Sequence, residues 1–102
     1  MPFLDVDPEH LTAAAGSLSG VGDSMAAGLS AGAAPTTGVM PPAVHPVSLF
    51  AASHLSTHGQ LFQEFSAQAE AAHQHIVATL GRNAANYALS EAANAASAAA
   101  GF

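Results

Sequence analysis

The sequence predicts an all-α chain, an antiparallel two-helix hairpin that amounts to half of a four-helix bundle. Two long segments repeat apolar residues with a period near 3.5, the spacing of a helix that packs along a seam. A stretch rich in proline, threonine and glycine separates them and reads as a connector. No segment alternates apolar and polar residues in the period of two that a half-buried strand requires.

The start of the first helix is marked by Asp7-Pro8-Glu9. Asp7 is a good N-cap, Pro8 suits the first helical position, and Glu9 sits at the positive end of the helix dipole. Larger apolar residues then recur at Leu11, Leu18, Val21, Met25 and Leu29, with Ala14 filling the vacant seam position. Glycines at 16, 20, 22, 28 and 32 each weaken helicity by up to about 1 kcal/mol, so packing must hold this helix together. Gly16 with Gly20, and Gly28 with Gly32, place small residues on single faces where a neighbouring helix backbone has room to approach.

Pro35 disfavours helical geometry in the residue before it, which predicts helix 1 over about 8–34. A stiff linker follows over about 35–45, and Pro46 is acceptable in the first turn of a second helix over about 46–90. The apolar seam of that helix runs Val47, Phe50, His54/Leu55, His58, Leu61/Phe62, Phe65, Ala69, Ala72, Ile76, Leu80, Ala84 and Tyr87. Beyond residue 90 the pattern dissolves into Ala, Ser and Asn, predicting a flexible tail over about 91–102. Phe3 and Leu4 are candidates to cap one end of the bundle.

Composition explains why half a bundle is expected. The 102 residues suit one domain, but 26 of the 51 hydrophobic residues are alanine and none is tryptophan. Charged residues make up 8% of the chain, far below what keeps the surface of a monomer soluble. Sparse bulk inside and sparse charge outside together imply that a second protein covers much of the surface. Arg82 is the sole Lys or Arg, and the net charge is −6, which argues against nucleic acid and anionic membrane surfaces as ligands. No run of 18 apolar residues predicts a transmembrane span, and the first residues lack the basic and apolar regions of a Sec-type signal peptide. Without cysteine there is neither a disulfide nor a thiolate metal site.

Two motifs suggest chemistry. Gly28-Leu29-Ser30-Ala31-Gly32 matches the G-x-S-x-G nucleophile pattern, but the pattern works on a strand-to-helix turn and this segment lies inside an Ala/Gly helix. His54 and His58 stand one helical turn apart, a spacing that can bind zinc, yet Leu55 occupies the position where a zincin carries glutamate. Partly buried seam histidines are the simpler reading, and no catalytic, cofactor or metal residue is assigned. His73 and His75, two apart, point in different directions. Phe50, Leu61, Phe62, Phe65 and Ile76 carry the largest apolar areas, a stripe too wide for one neighbouring helix to cover.

Together these features resemble the PE domain, named for a Pro-Glu pair near the N-terminus and here carried by Pro8-Glu9. The resemblance spans the whole chain: the early Met1-Pro2-Phe3-Leu4, the Ala-rich helix from Leu11, the segment from Ala34 to Ala43, Val47-Ser48, and Tyr87-Ala88-Leu89-Ser90-Glu91. His45-Pro46 departs from the acidic residue often found before Val-Ser. The resemblance implies a non-enzymatic PE subunit that co-folds with a PPE-family protein into a heterodimer. The expected interface is Leu11, Leu18, Met25, Phe50, Leu61, Phe62, Phe65, Ile76 and Leu80. It also implies an EspG-type chaperone acting through the PPE partner, and export by a type VII (ESX) secretion system. Tyr87 and Glu91 would be the Tyr-x-x-x-Asp/Glu signal. The location implied is cytoplasmic before export, then secreted or in the cell envelope, with no Gly-rich or catalytic extension expected after Phe102. A self-associating envelope or pore component is the alternative.

Overall fold

The structure is a computed structural model and describes residues 4–101. Among these residues there are two helices packed against each other, α1 (Pro8–Thr37) and α2 (Pro46–Ala100), and no strand. Phe3 lies outside the described residues, and Leu4 is exposed rather than capping a core.

The start of α1 is set by the sequence locally. The Asp7 carboxylate accepts hydrogen bonds from the backbone N–H groups of Glu9 (3.0 Å) and His10 (3.2 Å), satisfying donors that have no partner inside the helix. The Pro8-Glu9 pair is thus the first turn of a capped helix.

The end of α1 differs from expectation: the helix runs past Ala34 and contains Pro35. Proline removes a single helical hydrogen bond, and in the last turn of a helix that costs less than in its interior; the residues that follow keep bonding back along the helix. Thr36 Oγ1 donates to the Gly32 carbonyl (2.6 Å) and Thr37 Oγ1 to the Ala33 carbonyl (2.7 Å). The Gly38 N–H closes the turn on the Ala34 carbonyl at 3.0 Å.

His45 performs the role of cap for α2. Its Nδ1 accepts the Val47 N–H at 3.3 Å, and its carbonyl accepts the Leu49 N–H at 2.9 Å. The far end of α2 also differs from the expected tail over 91–102, since the helix continues to Ala100. Alanine has the highest intrinsic helix propensity, so the Ala-rich stretch extends the helix after its packing seam has faded.

The chain divides into two compact units, residues 1–21 with 74–102, and residues 22–73. In the first, Leu11, Ala15 and Leu18 of α1 and Val77, Leu80, Ala84 and Tyr87 of α2 are buried or half-buried. Their spacings of three and four residues trace one face of each helix. In the second unit the inner face of α1 is Gly22, Ala26, Leu29, Gly32, Ala33 and Thr37. That of α2 is Ala52, Ser56, Gly59, Gln63, Ser66, Glu70 and His73. Val21 and Met25, expected in the seam of α1, are about half exposed, and Ala14 is exposed. The smaller Ala15, Gly22 and Ala26 hold the inner positions instead.

Those small residues mark a close approach of backbones within residues 22–73. A Cβ on Gly59 would collide with the Thr36 carbonyl oxygen, and one on Gly22 would lie 2.7 Å from the His73 ring. Gln63 Nε2 donates to the Leu29 carbonyl (3.2 Å), and Ser56 Oγ accepts the Val39 N–H (3.0 Å), tying the loop to α2. At Gly16, Gly20, Gly28 and Gly32, by contrast, a Cβ would meet open space, so the two expected glycine pairs are not where the helices come closest. The buried apolar residues among those described are Ala15, Ala52 and Ala84. Each contributes a methyl group worth roughly 0.8 kcal/mol. The interior holds small side chains, and most of the large ones stand outside it.

Candidate partner face and export motif

Within residues 46–73, α2 has two faces of different chemistry. The inner face just described recurs at Ala52, Ser56, Gly59, Gln63 and Ser66. A second set recurs at the same interval on the outside: Val47, His54 and Leu61; Leu55 and Phe62; His58 and Phe65. Both sets follow a seven-residue period, so they keep their angular separation along the helix. Every member of the outer set is exposed; Phe65 is 69% exposed, and Phe50 at the stripe's edge is 71%. The Phe50 and His54 rings stack at 5.6 Å between centroids. His54, Leu55, Thr57, His58 and Leu61 line a shallow, open and mainly apolar concavity.

The nine residues expected to meet a partner fall into two groups. Met25, Phe50, Leu61, Phe62 and Phe65 of the 22–73 unit, and Ile76 of the other, are exposed. Leu11, Leu18 and Leu80 are half-buried in the hairpin's own seam. Met40 and Val44 were missed by sequence reasoning, yet both are more than four-fifths exposed in the loop. Their signal was bulky apolar side chains in a proline-rich connector, where ordinary turn chemistry asks for none.

Tyr87 and Glu91 lie one turn apart within α2. Tyr87 is half-buried on the inner face, where it continues the series of Val77, Leu80 and Ala84, and Glu91 is exposed. One end of the tyrosine is therefore committed to hairpin packing, while the carboxylate is free to meet another molecule.

Neither chemical motif acquires a site. Ser30 is an exposed residue in the middle of α1, not on a strand-to-helix turn. Among the described residues, no group of three His, Asp or Glu side chains is gathered as a metal ion would require. Among the same described residues no helix is long and apolar enough to cross a membrane.

Known proteins resemble this chain over nearly its whole length. The sequence model described as PE family matches residues 4–94. PE family protein PE13 of Mycobacterium tuberculosis is 47% identical over 98 residues, covering 96% of this chain and 99% of that protein. PE family protein PE8 of the same organism is 43% identical over 97% of this chain, which spans only 36% of its length. The PE-PGRS family protein PE_PGRS47 is 40% identical over 91% of this chain, which spans 18% of that protein.

Proposed function

The chain belongs to the PE family, and from that premise we propose that it is a non-enzymatic subunit that co-folds with a PPE-family protein into a four-helix bundle exported by a type VII secretion system. The observation that carries this reading is the outer stripe of α2. Phe50, Leu55, Leu61, Phe62 and Phe65 are exposed while alanines form the buried core. Covering a large apolar side chain contributes roughly 1.5–3 kcal/mol, so this stripe holds a larger reserve of hydrophobic stabilisation than the alanine interior. A partner hairpin laid along it completes the bundle, and its binding free energy adds directly to folding stability.

Met25, Phe50, Leu61, Phe62, Phe65 and Ile76 meet the partner in this reading. Leu11, Leu18 and Leu80 support it from the hairpin's own seam. An EspG-type chaperone acts through the PPE subunit before export, and the pair leaves the cytoplasm for the medium or the cell envelope. Tyr87 and Glu91 form the export signal, with Glu91 presented to solvent and Tyr87 fixing its position on the helix.

Co-expression with a PPE protein tests the pairing. A soluble 1:1 complex, with poorly folded material when the chain is expressed alone, is the expected result. A discrete, cooperatively melting homo-oligomer of the isolated chain would instead establish the self-associating envelope component. Export has its own test: Tyr87→Ala is expected to leave the complex intact and remove it from culture filtrate. Unchanged filtrate levels would strip Tyr87 of that role.

A further inference from the structure

His54 and His58 are the titratable side chains of the outer stripe. Both are exposed, they lie one helical turn apart, and they line the same concavity as Leu55 and Leu61. The His54 ring is stacked on Phe50. Around them the stripe is Val47, Leu55, Leu61, Phe62 and Phe65, and the Thr57 hydroxyl in the same concavity already donates to the Ser53 carbonyl, so the two imidazoles are where a covering surface has to provide polar groups.

We propose that the PPE partner covers His54 and His58 in their neutral form, with hydrogen-bond acceptors facing their ring N–H groups, so that the pair selects the partner and releases it on acidification. This rests on the heterodimer reading above. The other charged or titratable groups of residues 22–73 do not balance a charge at these positions. Asp23 is on α1, which packs against the opposite face of α2. His45 caps α2, and Glu70 and His73 belong to the inner face. Glu64 is exposed at the stripe's edge, six residues beyond His58 and outside the three- or four-residue reach of a helical pair. No acidic residue stands three or four positions from either histidine.

Imidazolium ions buried there would lose hydration without gaining a carboxylate from this chain, and two of them one turn apart would repel. The complex therefore favours the neutral rings. Its affinity falls on acidification, because binding the neutral rings is opposed by their protonation.

The experiment compares the affinity of the co-purified complex at about pH 7.5 and about pH 5.5, with EDTA present to remove any metal bridge. The proteins are the wild type and the double variant His54→Gln/His58→Gln, whose amides donate hydrogen bonds without titrating. Wild-type affinity is expected to fall about tenfold per imidazole, about a hundredfold in all, and the double variant by less than about threefold. If the double variant fails to pair, the single variants serve instead, each expected to retain about a tenfold response. An equal loss in wild type and variant overturns the proposal. So does tighter wild-type binding in acid, which would place a carboxylate opposite the pair. Absence of wild-type pairing at pH 7.5 overturns the heterodimer reading itself and this inference with it, whereas pairing that ignores pH overturns this inference alone.

Discussion

In the unit formed by residues 1–21 and 74–102, the bulky side chains Leu11, Leu18, Val77, Leu80 and Tyr87 are half-buried in the helix seam. In residues 22–73, Met25, Phe50, Leu55, Leu61, Phe62 and Phe65 stand exposed, and the inner face of α2 is Ala, Ser, Gly, Gln, Glu and His. The difference follows from how closely the backbones approach. Where Gly59 lies against the Thr36 carbonyl there is no space for a side chain between the helices, so bulk is excluded to the outside. Polar inner residues are affordable only with partners, and Gln63 on the Leu29 carbonyl and Ser56 on the Val39 N–H supply two. One unit thus places several bulky side chains in its own seam, although Val21, Ile76 and Leu89 remain exposed. The other leaves its area available, and the partner reading assigns that stripe to a second protein.

Substitutions in each region sharpen this contrast. The largest effect is expected from Phe65→Asp on the outer stripe. An unpaired carboxylate buried under a partner costs several kcal/mol, more than about a hundredfold in affinity. Co-purification at wild-type levels would break the assignment of that face. Next, Gly59→Val forces a branched side chain against the Thr36 carbonyl and is expected to destabilise the complex by about 3 kcal/mol, read as a lower urea midpoint. An unchanged midpoint would mean that the helices separate freely there. Leu80→Ala removes half-buried bulk from the other unit and is expected to cost about 2 kcal/mol in the same measurement, the low end for such a truncation because the site is partly open. The smallest effect has the opposite sign. A Cβ on Gly16 meets nothing within 4 Å, so Gly16→Ala should stabilise by about 0.5–1 kcal/mol, and a raised melting temperature would show it.

Helix starts were legible because their chemistry is local. Asp7 followed by Pro8 specifies a cap and a first turn whatever packs elsewhere, and the observed bonds to the Glu9 and His10 N–H groups are those such a cap makes. Helix ends were less legible. Pro35 is a strong stop signal on average, yet the helix runs two residues past it, where Thr36 and Thr37 hydroxyls bond back to the Gly32 and Ala33 carbonyls. The stripe of Phe50, Leu61, Phe62 and Phe65 was visible as a periodic apolar series. The inner face of α2 was not, because Ala52, Ser56, Gly59 and Gln63 carry no hydrophobic signal.

By itself the sequence determined the helical class, the two-helix order, the capped start of α1 and the shortage of bulky interior residues. Each of these depends on residue type and short-range spacing alone. Only the tertiary structure decided which of the two interleaved seven-residue series on α2 faces α1. That choice depends on how near two backbones can come, a distance set by a glycine on one helix and a carbonyl on the other, residues separated in the chain by a whole loop and more than three turns of helix.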